Sequence, residues 1–266
     1  MVRFGLKGAC LAIAMTVSAS GAHAAGTLVA AGDEWLLTNT AYTAPYATGT
    51  TAFVNNIAAT FGGTNYLLLT GDAATGGQSG LTNFAAQLQS LGKTVSYAAA
   101  LPANLSGYDA VFHIGQYVAS TVGLDAYVAG GGNLYLSLGG GYYGSAAGEA
   151  AFWNPFLANY GLVAGSTWFP APGFVDATVT SGPPGVTNLV WGYGQSVDAL
   201  PSTSGVSYVR GTFPGSSQEI GLVGTSRALV VAGGVPEPAT WAMLLAGFGL
   251  AGWAMRRRPT VAVRYA

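Results

Sequence analysis

Cysteine is almost absent from this chain. Its one thiol, Cys10, sits near the N-terminus, so residues 25–235 contain no disulfide framework, thiolate metal site or cysteine nucleophile. Charge is nearly as scarce. Charged side chains make up 7% of the composition, against about a quarter in an ordinary soluble protein. Of two histidines, His23 lies in the N-terminal leader, and His113 alone cannot build the usual zinc site without cysteines. No G-x-S-x-G nucleophile elbow occurs either.

What is present is glycine, 41 residues of it, with 50% hydrophobic content, 14 Tyr, 11 Phe and 6 Trp. Such a chain has enough apolar surface to bury a core and does not read as disordered. The net charge of −1 conceals a segregation. Between residues 25 and 235 the basic side chains are Lys93, Arg210 and Arg227, against nine acids, so this body carries about −6. It has no basic stripe for a phosphate backbone, which excludes nucleic acid as a partner.

The two ends read as targeting segments. Arg3 and Lys7 precede an apolar stretch from Ala9 to Val17 that is too short to span a bilayer, and Ala22-His23-Ala24 gives an A-x-A cleavage site. Residues 1–24 are therefore expected to be a signal peptide, with a buried N-terminal helix as the alternative. At the other end, 239–255 is a run of 17 residues without charge, roughly 25 Å as a helix and just enough for a thin hydrocarbon core. Trp241 and Trp253 lie near its ends, and Arg256, Arg257 and Arg258 follow as a membrane stop. The positive-inside rule places those arginines and the 259–266 tail in the cytoplasm and the body outside.

Pro236-Glu237-Pro238 stands directly before that apolar run. The order proline-glutamate-proline, apolar span, arginine cluster over residues 236–258 closely resembles the PEP-CTERM sorting signal. The resemblance implies recognition by exosortase, a membrane transpeptidase-like enzyme of Gram-negative bacteria that make extracellular polysaccharide, and processing near Pro236-Glu237-Pro238. An ordinary membrane anchor is the alternative. Gly247, Gly249 and Gly252 match G-x-G-x-x-G by accident, since they lie within the apolar run.

Up to about residue 160 the body alternates short apolar runs with helical spacing. Strands are expected at Thr27–Ala31, Tyr66–Thr70, Val95–Tyr97, Ala110–Ile114 and Leu134–Leu138. Helices are expected at Ala52–Phe61, from Leu81 to Leu91 with Gly92 as the stop, at Leu124–Ala129, and at Ala146–Trp153. Asn154 reads as the cap of a separate turn that has Pro155 at its first position. This pattern predicts an α/β fold, a flavodoxin-like parallel sheet with helices on both faces. From Ala164 onward, Gly, Pro and Ser predict irregular loops and short antiparallel edge strands, among them Val206–Val209 and Ala228–Val231. A single C-terminal transmembrane helix completes the expected architecture.

The segment from Leu105 to Gly161 is similar to the glutamine-amidotransferase-like (ThuA-like) superfamily. The similarity rests on Ser106-Gly107-Tyr108-Asp109, a strand, Gly115, and then the run Leu124-Asp125-Ala126-Tyr127-Val128-Ala129-Gly130-Gly131-Gly132-Asn133-Leu134-Tyr135. In amidotransferases of that kind a nucleophilic cysteine occupies the turn after such a strand. Here the turn is Gly139-Gly140-Gly141, so the resemblance implies a non-catalytic version.

Candidate chemistry gathers at the carboxyl ends of the expected strands, where open α/β sheets bind ligands. Asp33, Glu34, Asp72, His113 and Gln116 form this candidate ligand edge. Asp33-Glu34 reads as an acid/base or calcium pair, or as a solvated strand end; His113 reads as functional or as a packed histidine. Gly139, Gly141 and Gly144 match G-x-G-x-x-G as a tight strand-to-helix turn or a phosphate site. The acids that follow, Glu149 and Asp176, are poorly placed for a dinucleotide ribose. Trp35, Trp153, Trp168, Phe169, Trp191 and Tyr193 are core or sugar-stacking rings. No cofactor or metal is expected. The leading expectation is an exported, surface- or matrix-associated, non-catalytic binding protein, with extracellular polysaccharide as a candidate partner. The alternative is an exported polysaccharide hydrolase using Asp33, Glu34 and His113.

Overall fold

A computed structural model describes residues 25–201, 203–214 and 216–227. The expected signal peptide, the strand expected at 228–231, Pro236-Glu237-Pro238, the 239–255 run and Arg256–Arg258 all lie outside the described residues. Among the described residues no helix is long and apolar enough to cross a membrane.

Five short strands form a parallel block: β1 (Leu28–Ala31), β2 (Asn65–Leu69), β3 (Thr94–Ala98), β4 (Ala110–Ile114) and β5 (Asn133–Ser137). They are separated by α1 (Ala47–Phe61), α2 (Thr82–Ser90) and α3 (Val122–Ala129), while α4 (Ala146–Ala158) follows β5. Four antiparallel strands complete the sheet: β6 (Leu162–Ser181), β7 (Asn188–Ala199), β8 (Val206–Thr212) and β9 (Ile220–Thr225). The single nine-stranded sheet runs β3-β2-β4-β5-β1-β9-β8-β6-β7.

Side chains alternate across the parallel strands with the period of two that a pleated strand imposes. Val29, Tyr66, Leu68, Phe112 and Tyr135 face Phe53 and Ile57 of α1 and Phe84 and Leu88 of α2. Leu28, Leu67, Val111, Leu134 and Leu136 face Leu124 and Val128 of α3 and Trp153, Phe156 and Leu157 of α4. Helices therefore cover both faces, which is why the strand sequences read as nearly continuous apolar runs. Each fully buried Leu or Phe in these layers contributes about 1.5–3 kcal/mol of hydrophobic stabilisation.

The strand order departs from the flavodoxin arrangement, in which the first strand lies between the second and the third. Here β1 pairs with β5 on one side and, antiparallel, with β9 on the other. A four-residue strand of sequence LVAA, buried along its whole length, is suited to a place flanked on both edges. The chain then passes β5 and β4 through two short 3-10 turns and α1 before it enters β2.

Two local expectations are corrected. Helix α4 does not break at Asn154 but runs through Pro155 to Ala158. Proline removes one helical hydrogen bond there, yet Ala150, Trp153, Phe156 and Leu157 stay on one buried stripe. Asn154 does not cap a turn; its side chain donates to Ala164 O (3.1 Å) and accepts from Ala164 N (2.7 Å), pinning the start of β6. Ser145 is the helix cap, accepting from Gly148 N at 3.0 Å. The second correction concerns the chain after Ala164, which forms long paired strands rather than loops and short edge strands. Strand β6 absorbs its Gly and Pro residues at register shifts between Ala164 and Trp168 and between Pro170 and Val175, as bulged strands do.

Candidate functional site

The carboxyl ends of β1, β2, β4 and β5 meet at one edge, and each brings glycine or acid to it. After β1, Asp33 caps the 3-10 turn Glu34–Leu37. Its Oδ1 accepts from Trp35 N at 2.9 Å, and its Oδ2 accepts from Gly192 N (2.6 Å) and Tyr193 N (3.1 Å). This fully buried carboxyl ties β1 to β7. Burial raises its pKa to about 6, although the three backbone N–H groups pull the other way. Asp33 is a staple, with both oxygens occupied.

Glu34, beside it, is only 6% exposed, and its Oε2 has no hydrogen-bond partner. A Cβ added to Gly115 would collide with that oxygen and lie 3.2 Å from Asp72 Oδ2. A Cβ on Gly140 would lie 3.2 Å from the same Glu34 oxygen. Glycine at the ends of β4 and β5 thus leaves the space the acid fills. Burial, then the charges of Asp72, Asp33 and Glu149, push the Glu34 carboxyl up to about 9, so it is protonated at neutral pH.

Asp72, after β2, is equally buried. It accepts from Ala74 N (3.1 Å), Thr75 N (3.0 Å) and the Tyr142 hydroxyl (2.7 Å). Glu149, in the first turn of α4, accepts from Gly139 N with both oxygens at 3.2 Å. Burial raises its pKa to about 7, while the Gly139 and Gly140 amides lower it. The glycine-rich segment is a tight turn with positive φ at Gly139, Gly141 and Gly144. Its Gly139 amide already serves a carboxylate, an arrangement unsuited to phosphate.

The structure thus brings together Asp33, Glu34 and Asp72 from the expected ligand edge. His113 stands apart on the α4 face of β4, 1% exposed, its ring edge-on to Trp153 at 5.4 Å. Neither ring nitrogen has a partner, and burial lowers its pKa to about 4. Gln116 reaches sideways, donating from Nε2 to Ala99 O at 2.8 Å beyond β3. Among the described residues no group of three or more His, Cys, Asp or Glu is spaced to hold a metal ion.

Two aromatic clusters flank the acids. On one side Tyr117 and Tyr142 are exposed, 6.5 Å apart, and Tyr117 continues to Tyr143 (5.6 Å), which stacks on Phe152 (4.4 Å). On the other side Tyr193 is exposed and lies 5.1 Å from Trp168, while Trp35 meets Phe174 at 4.6 Å. Of the other rings considered from sequence, Trp153 and Trp191 are core, and Phe169 packs against Phe213. Glu149, Tyr117 and Tyr142 were not expected as site residues. The available signal was the triple glycine after an apolar strand, which brings Tyr142 back over the sheet edge and starts a helix whose first acid is Glu149.

At the opposite edge a cavity of about 680 Å³ is lined by Pro102, Leu105, Tyr108, Asp109, Tyr127 and Asn133, among others. Its polar groups are engaged in structure: Asp109 Oδ2 accepts from Thr64 N and Asn65 N, and Tyr127 donates to Tyr108 O. The described body begins and ends at this edge as well. Gly26 N donates to Val128 O, and Arg227 Nε to Thr27 Oγ1. The last described residue, Arg227, therefore stands on the side away from the acids.

Residues 234–258 match the family model of the PEP-CTERM protein-sorting motif. That motif indicates export and sorting to the cell surface or extracellular space, with exosortase as the processing enzyme. No curated protein and no solved structure matches the chain.

Proposed function

We propose that this chain is a surface-sorted, non-catalytic saccharide-binding protein. In this reading the edge formed by Glu34, Asp72, Tyr117 and Tyr142 contacts extracellular polysaccharide. The observation that carries the reading is the Tyr142–Asp72 hydrogen bond of 2.7 Å. It joins an exposed ring to a buried carboxyl, the pairing of stacking face and hydroxyl acceptor that a sugar ring needs.

The body is, in the same reading, a non-catalytic relative of the glutamine-amidotransferase-like fold. Its parallel block and the cysteine-free turn at Gly139-Gly140-Gly141 support that. A hydrolase using Asp33, Glu34 and His113 has less support, because Asp33 is held by three backbone N–H groups and neither ring nitrogen of His113 makes a hydrogen bond.

A glycan array probed with the mature exported protein tests the proposal. Binding without release of reducing ends is the expected result. Release of reducing ends that disappears in Glu34→Gln would replace the binding protein with an enzyme, and a blank array would remove the saccharide reading.

A further inference from the structure

Among the described residues the acid-rich edge contains no cation. The body's three basic residues are committed elsewhere: Lys93 Nζ donates to the carbonyls of Gly62 and Gly63, Arg210 bridges Asp198 and Glu219, and Arg227 bonds Thr27. Uronates or sulfated sugars would meet four carboxyls here and no counter-charge. Glu34 adds a second observation, since it is more than nine-tenths buried, with an unpartnered oxygen directed toward Asp72 and Gly115. A positive group beside this carboxyl would relieve its repulsion from Asp72, Asp33 and Glu149.

Tyr142 is an exposed ring bonded to the acid pair at Asp72. Its hydroxyl acts as donor to Asp72, and burial, Asp72 and Glu34 all act on it. It rides on a turn with positive φ at Gly141 and Gly144, where an added Cβ would meet nothing within 4 Å.

We propose that the Glu34–Asp72 pair receives the ammonium group of an amino sugar, with Tyr142 giving up its bond to Asp72 and the Tyr117–Tyr142 rings taking the sugar face. This rests on the saccharide-binding reading and narrows it to a class of ligand. The rings favour a sugar over a basic peptide, because they supply a flat apolar surface beside the charge site. Glu34 releases its proton to solvent as the ammonium enters, and the ammonium keeps its own. Asp33, Asp72, Glu149 and Tyr142 are the other titratable groups facing it.

The test is calorimetry on the mature protein with tetraglucosamine and its N-acetylated counterpart, in two buffers of different protonation enthalpy. Tetraglucosamine is expected to bind at least about tenfold tighter and to release about one proton per site. Glu34→Gln should abolish both the preference and the proton release, and its neutral side chain matches the state Glu34 already has in the fold. Tyr142→Phe, which frees Asp72, should tighten binding. Glu219→Gln removes a charge elsewhere on the surface and should change neither.

Equal or tighter binding of the acetylated tetramer overturns the ammonium site while the saccharide reading stands. A preference that survives Glu34→Gln but falls with Glu219→Gln overturns it too, as bulk charge attraction. Tetralysine binding as tightly as tetraglucosamine overturns the sugar assignment. Failure of every saccharide to bind removes the saccharide-binding reading itself.

Discussion

Gly115 and Glu34 fit together only because one of them has no side chain. Gly115 ends β4 with φ of 64°, and a Cβ there would run into Glu34 Oε2. Gly115→Ala faces two penalties, the left-handed conformation, worth about 1–2 kcal/mol for an L-residue, and displacement of a buried acid. The expected result is a loss of roughly 2–4 kcal/mol in chemical denaturation. Gly141→Ala has the same sign of φ, but nothing lies within 4 Å of its added Cβ, so it should lose only about 1–2 kcal/mol. Equal losses at the two positions would show that Glu34 is not wedged against Gly115.

Asp33→Ala strips the partner from Trp35, Gly192 and Tyr193 amides at once. Buried donors left unpaired cost about 1–3 kcal/mol each, partly offset because a desolvated carboxyl is removed as well. A net loss of roughly 2–4 kcal/mol is expected, with β7 loosening first in amide exchange. Unchanged protection at Gly192 and Tyr193 would contradict the staple.

Three buried carboxyls make the fold sensitive to alkali. Asp33 rises from 3.8 to about 6, Glu34 from 4.5 to about 9 and Glu149 from 4.5 to about 7. In each case the native state keeps a proton that the unfolded chain has released, so stability falls as pH climbs from the unfolded value through the folded one. His113 works in the opposite direction. Its pKa drops from 6.5 to about 4, so it costs stability as pH falls below the unfolded value. Between those limits three carboxyls act against one imidazole, and above about pH 6.5 the carboxyls act alone. Because three carboxyls outweigh one imidazole throughout that window, the thermal midpoint should decline from about pH 4 toward about pH 9. Glu34→Gln should flatten that decline and leave the variant more stable than the parent at the alkaline end. A midpoint that rises from acid toward alkali would contradict the burial of these acids.

The parallel block was legible because its strands are buried on both faces. YLLLT and AVFHI show their character as uninterrupted apolar runs, and the stripe through Phe84, Ala85 and Leu88 marks α2 plainly. Strand order was not legible, since LVAA carries no mark of which neighbours it pairs with. Strand β6 was missed because Pro170 and Gly173 signal a break locally, while the pairing with β7 that accommodates them is a long-range fact. The edge acids Asp33, Glu34 and Asp72 could be found because they follow strands directly. Glu149 was missed because its partner is the Gly139 amide, brought close only by the turn between them.

The tail offers the sharpest test of sorting. An ordinary anchor depends on apolar length and arginines, so replacing Pro236-Glu237-Pro238 with alanines would leave its location unchanged. A sorting motif is read by an enzyme, and the same replacement should leave a longer, unprocessed chain in the inner membrane. Prolines on both sides of Glu237 disfavour helix and free one backbone segment for an enzyme to grip. From Arg227, where the described body ends, to Pro236 the chain can reach at most about 30 Å. The cleaving enzyme must therefore work within that distance of Arg227. Surface material from the wild type should lack the sequence from about residue 236 onward. Mass spectrometry that recovers Arg256–Ala266 on protein released from the cell would refute processing, and normal release of the alanine variant would refute recognition of the motif.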